Sequence, residues 1–196
     1  MTLNEYITLG ISTVAIVISI IAYLQNSRIE KRQVRIEKLE EMLEITHILM
    51  GNYQYFEDTH SFKTHLSSQS ENSSKDKERY VRQLKELIQI AESIKLQNML
   101  TRLFVLNNSY LPKKELKEKI GVLITVYTNL AQNTISQQSI PNVTLPFNSF
   151  PKKWEFLEFT QEIQNALIEE MDLGYKDSIN HENTYDKIFK ERYNIQ

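Results

Sequence analysis

Apolar residues open the chain as an unbroken run and then recur at helical spacing. Tyr6 to Leu24 reads YITLGISTVAIVISIIAYL, nineteen residues without a charge. At 1.5 Å per residue the run makes roughly 28 Å of helix, close to the hydrocarbon thickness of a bilayer. A helix also satisfies its own backbone polar groups, as lipid requires. From Ile36 onward, Leu39, Met42, Leu43, Ile45, Ile48, Leu49 and Met50 form a broad stripe at helical period. No Gly or Pro falls between Gly10 and Gly51, so one helix is expected to leave the bilayer and continue as a stalk.

Beyond Gly51 the pattern breaks. The stretch HSFKTHLSSQSENSSKDKE is polar and Ser-rich, and residues 51–78 are expected to be mostly loop. A helix follows from about Asp76 to Asn107, with Tyr80, Leu84, Leu87, Ala91 and Ile94 on its apolar face. Pro112 seats the next helix, whose apolar face is Leu116, Ile120, Leu123, Ile124, Tyr127, Leu130, Ala131 and Ile135. Pro141, Pro146 and Pro151 exclude a regular helix over 136–153. Another helix is expected from Lys152 to Leu173, stopped by Gly174, with a short one near 182–193. No alternating strand pattern persists. The expected fold is all-α: a transmembrane anchor over 1–27, a juxtamembrane stalk helix over 28–51 and a cytoplasmic helical bundle over 52–196.

Charge sets the orientation. Arg28, Lys31, Arg32 and Arg35 lie just after the uncharged run, with Lys38 beyond them. Cytoplasmic flanks carry excess Lys and Arg, so the N-terminus is expected outside and the C-terminal part in the cytoplasm, anchored in a bacterial inner membrane. A cleaved signal peptide fits less well, because MTLNE carries no cation and no A-x-A-like site follows the run. The chain has no cysteine, in keeping with a reducing compartment.

A second pattern lies inside the run. Thr8, Ser12, Ala15, Ser19, Ala22 and Asn26 share one helix face, opposite Ile7, Ile11, Val14, Ile18 and Ile21. Small residues let membrane helices approach closely, and hydroxyls can bond across the contact. The face reads as a homo-oligomer seam or the lining of a narrow pore; an ordinary anchor would also tolerate these residues. Continued by sevens, the register passes through Ile29, Ile36, Leu43 and Met50, as expected of a stalk packing on copies of itself or on its own domain.

Candidate chemistry is sparse. No phosphate-binding Gly loop, HExxH, CxxC or G-x-S-x-G occurs, and no catalytic set, metal or cofactor is expected. Glu57, Asp58, His60 and His65 cluster, but their spacing matches no standard ligand set and a solvated loop is the simpler reading. Arg82 and Lys85 on one helix, with Lys113, Lys114 and Lys117 opening the next, could form a groove for a nucleotide or oligonucleotide. Interleaved Glu86, Glu115 and Glu118 point instead to ordinary solvated helix faces, and a net charge of −2 argues against general nucleic-acid binding. Phe147, Phe150, Trp154, Phe156 and Phe159 are expected in the core, with a partner-binding surface as the alternative.

In layout, the segment ITLGISTVAIVISIIAYLQNSRIEKR followed by a helical remainder resembles small single-pass membrane effectors of bacterial anti-phage defence. The resemblance implies a membrane-permeabilising output restrained by a cytoplasmic domain. The expected function is a homo-oligomeric membrane effector acting as a ligand-gated pore or ion channel. The alternative is an anchored scaffold that recruits a cytoplasmic protein partner.

Overall fold

The computed structural model describes residues 3–68, 73–112, 114–135 and 149–171, with side chains from Thr13 onward. Its first helix, α1, runs without interruption over Leu3–Ser68, 66 residues. That is about 99 Å of helix. The expected exit into loop at Gly51 does not occur. Leu49, Tyr53, Phe56 and Thr59 extend the buried face past the glycine, so burial outweighs its weak helix propensity. The hydroxyls of Thr59, Thr64 and Ser67 each donate to the carbonyl four residues back, so the Ser- and Thr-rich stretch keeps its polar groups satisfied within a helix.

Four more helices complete the described residues: α2 Ser74–Ser93, α3 Leu96–Tyr110, α4 Lys114–Ile135 and α5 Lys153–Met171. No strand occurs among them, and the fold is all-α. Ser73 caps α2 by accepting from the Asp76 amide at 3.1 Å. The helix expected from Asp76 to Asn107 is broken. Lys95, at φ 52°, is left-handed and separates α2 from α3. The expected α5 agrees within one residue at its start; Leu173, Gly174 and the short helix near 182–193 lie outside the described residues.

Side-chain pairings fix the direction of each helix. Phe62 of α1 faces Tyr80 of α2, and Glu41 of α1 binds Arg102 of α3. Thus α2 and α3 form one broken helix running antiparallel to α1. Lys63 of α1 reaches the Asn133 carbonyl of α4, and Tyr53 and Phe56 meet Tyr127, so α4 runs parallel to α1. Tyr53 stacks on Phe156, and Arg35 pairs with Glu170, so α5 returns antiparallel. The result is an up-down-up-down bundle of α1 from about Arg35 onward, α2–α3, α4 and α5.

Its centre is aromatic. Tyr53 and Phe156 stack with centroids 3.6 Å apart, and Tyr127 meets both edge-on or tilted at 6.1 Å. Burial pushes both phenols well above the usual tyrosine range. Tyr53 donates to the Pro151 carbonyl at 2.6 Å, which pins the start of α5. Of the aromatic group expected in the core, Phe156 is buried and Phe150 and Phe159 are half-buried. Trp154 is 58% exposed, a correction that follows from its position two residues before Phe156, on the outer side of α5. Phe147 lies outside the described residues.

Among the described residues no helix is long and apolar enough to cross a membrane. Described side chains cover twelve of the nineteen residues of the uncharged run, Thr13–Leu24.

Candidate membrane and self-association face

Before Arg35, α1 stands clear of the bundle. From Thr13 to Val34 every side chain is exposed except half-buried Ser27. Val14, Ile16, Val17, Ile18, Ile20, Ile21 and Leu24 are each 49–60% exposed. Apolar side chains point outward all round the helix. Water penalises such a surface, and a helix of this kind requires burial in protein or lipid.

The face of small residues has a definite relation to the bundle. Ala15, Ser19, Ala22 and Asn26 are exposed; the side chains of Thr8 and Ser12 lie outside the described residues. Ser19 Oγ donates to the Ala15 carbonyl at 2.8 Å, which leaves its lone pairs to accept from a neighbour. Eighteen residues make about five turns, so the continuation of this face is read at that spacing. It passes through Gln33, Glu37, Glu40 and Glu44, then Gly51, Tyr55 and Asp58, all exposed. The bundle occupies the opposite side, through Leu39, Met42, Thr46, Leu49 and Tyr53. Continuation by sevens instead leads to Ile36, Leu43 and Met50, which are half-buried. A heptad drifts about 20° per repeat on a straight helix, which accounts for the difference.

Basic residues segregate to the other side. At 100° per residue Arg28, Lys31, Arg32 and Arg35 all fall on the bundle-facing half of α1. The first three are exposed. Arg35 is ion-paired with Glu170 in the last turn of α5, whose side chain is 7% exposed. One turn deeper, Arg102 holds Glu41 through both carboxylate oxygens, at 2.5 and 2.9 Å, and Lys38 adds a third contact at 3.1 Å. The Arg102 hydrogen bonds, helped by Lys38, hold the Glu41 carboxyl down at about 2. These pairs tie the base of the projecting helix to α3 and α5. Sequence reading missed Arg102 and Glu170 because their partners lie 61 and 135 residues away.

The other predicted groups are not assembled into sites. Arg82 and Lys85 are exposed on α2, near the far end of the bundle. Lys114 and Lys117 open α4 at the end nearest the projecting helix, on the order of 30 Å from them along the bundle. Lys114 pairs with Glu118 at 3.6 Å, and Lys117 donates to the Asn108 carbonyl at 3.2 Å. Lys113 lies outside the described residues. A groove of about 600 Å³ beside the α2–α3 break is lined by Ile88, Ala91, Leu96, Ala131 and Ile135, with Glu92 and Lys95 at its rim. It includes neither pair of predicted cations. Glu57, Asp58, His60 and His65 sit on helix α1 rather than in a loop. No group of metal-ligating side chains occurs among the described residues. His60 packs edge-on against Phe150 at 4.8 Å, and burial lowers its basicity, with Lys63 adding to the effect.

No protein-family model, curated protein or solved structure matches the chain.

Proposed function

We propose that this protein is a homo-oligomeric membrane effector. The N-terminal part of α1 anchors it in a bacterial inner membrane, the bundle lies in the cytoplasm, and the membrane helices associate into a conducting assembly. One observation carries the reading: an apolar helix, exposed on every side, projects from a folded bundle with cations at its exit. The small-residue face points away from the bundle. Helices from several copies can therefore meet at a centre while their bundles stay at the periphery. The layout shared with anti-phage effectors supplies the setting of membrane leakage on infection.

Ion flux from vesicles holding the reconstituted full-length chain tests the proposal. Flux above that of empty vesicles is expected, and Ser12→Leu with Ser19→Leu should reduce it while insertion is unchanged. Absence of flux from inserted protein, or flux indifferent to the double substitution, contradicts a pore formed along this face. A second reading, an anchored module that recruits a cytoplasmic protein, is favoured by Trp154, since exposed tryptophan often anchors partner contacts.

A further inference from the structure

The path of α5 leads onto a row of cations on α1. Phe156 stacks on Tyr53 and Glu170 pairs with Arg35, so α5 travels along one side of α1 and its last described turn stands beside Arg35. Arg28, Arg32 and Arg35 fall at i, i+4 and i+7 and form one stripe, with Lys31 next to it. The stripe continues the line that α5 follows. Arg35 is held by Glu170, whereas Arg28, Lys31 and Arg32 are exposed. Arg28 and Lys31 have no ion-pair partner among the described residues. Like charges at this spacing repel one another, so the stripe favours an anion beside it. The nearest acids in sequence, Glu30 and Glu37, fall on the opposite side of the helix.

The chain continues for 25 residues past Met171, outside the described residues. It reads DLGYKD directly after Met171, which places Asp172 two residues and Asp177 seven residues beyond Glu170. Arg28 is likewise seven residues from Arg35, about 10 Å along α1. Seven residues cover about 10 Å as helix and about 23 Å when extended, so Asp177 reaches the level of Arg28 in either conformation. Two carboxylates and one ammonium, that of Lys176, thus follow α5 at the place where α1 offers three exposed cations. The direction of the chain and the complementary charge select the same occupant for this face.

We propose that residues 172–177 lie along α1 between Arg35 and Arg28, with Asp172 and Asp177 paired to the cations there. The occupant of this face is the chain itself, rather than lipid headgroups or a second copy. The contact carries the brace begun by Arg35 and Glu170 about two turns further along α1, towards the apolar run. The small-residue face lies on the other side of the helix and stays open to other copies. The inference does not depend on the conducting role proposed above.

The absence of cysteine permits a direct test. Nitroxides are placed on the full-length chain at Ile29→Cys and Ser178→Cys, and pulsed electron–electron resonance measures their separation in neutral detergent. Asn180→Cys replaces Ser178→Cys in a second pair, so that the reading does not hang on one label site. Packed segments lie roughly 8–10 Å apart, so a narrow distribution within about 25 Å is expected once the label arms are included. Dilution with unlabelled chain should leave it unchanged, as should addition of phosphatidylglycerol. Arg28→Glu with Lys31→Glu should lower the docked-to-undocked ratio roughly fivefold, through the loss of two exposed ion pairs. Adding Asp172→Lys and Asp177→Lys to those substitutions should restore the narrow distribution, which a loss of folding would not allow. A broad distribution in the unsubstituted chain overturns the contact, and so does a narrow one that the charge reversal leaves unchanged. A short distance lost on dilution gives the face to a second copy, and one lost on adding phosphatidylglycerol gives it to headgroups; either overturns the proposal.

Discussion

Two tyrosines at the centre of the bundle are equally buried and differently satisfied. The Tyr53 hydroxyl donates to Pro151, whereas the Tyr127 hydroxyl has no partner among the described residues. Removing a hydroxyl that makes a bond loses that bond; removing one that makes none relieves a desolvation penalty. Tyr53→Phe should therefore cost about 1 kcal/mol in urea unfolding, and Tyr127→Phe should be neutral or stabilising by a similar amount. Equal losses in both would mean that Tyr127 has an unrecognised partner. Glu41 gives a pH test. Its folded pKa, about 2, lies below the ordinary 4.5. The stability this contributes is complete above pH 4.5 and is lost as pH falls towards 2. Arg102→Leu should lower stability at neutral pH and flatten this acid limb. An unchanged limb in the variant would show that other carboxylates set it.

At the scale of elements, Gly51 and Lys95 mark where sequence and structure part. Gly51 looked like the end of a helix, yet it sits on an exposed turn of α1, where an added Cβ meets nothing within 4 Å. Gly51→Ala should stabilise by about 0.5–1 kcal/mol in thermal unfolding, as in a helix interior. Lys95→Gly should also stabilise, by about 1 kcal/mol, because Lys95 is left-handed. Were residues 76–107 one straight helix, Lys95→Gly would destabilise by a similar amount. The apolar period of α4 was legible because it buries a simple stripe, and the break between α3 and α4 was legible at Pro112. The continuation of α1 was hidden: its buried positions there are Tyr53, Phe56 and Thr59, set among serines and histidines that resemble a loop. The break at Ile94–Lys95 carries no Gly or Pro to signal it and shows only in the left-handed backbone of Lys95. Of the candidate face, spacing placed Ala15, Ser19, Ala22 and Asn26 together. Only the bundle shows that they face away from it. The proposed basic groove failed for the converse reason. Arg82 and Lys114 are linked through a helix that carries them to opposite ends.

On the scale of the whole molecule, α1 joins two surroundings in one rigid element. Its C-terminal half is one strut of a bundle; between Thr13 and Val34 it offers an apolar surface that none of the described residues of the bundle covers. Arg35–Glu170 and Glu41–Arg102 tie the junction to α5 and α3. Because the core begins at Leu39, a truncation that starts at Asn26 should retain the folded bundle. The most direct test of the account is the mass of the full-length chain in detergent, measured beside that truncation. A defined oligomer that becomes a monomer on truncation is the predicted result, and it places assembly in the projecting helix. Monomers in both, or the same oligomer in both, would contradict assembly through that helix.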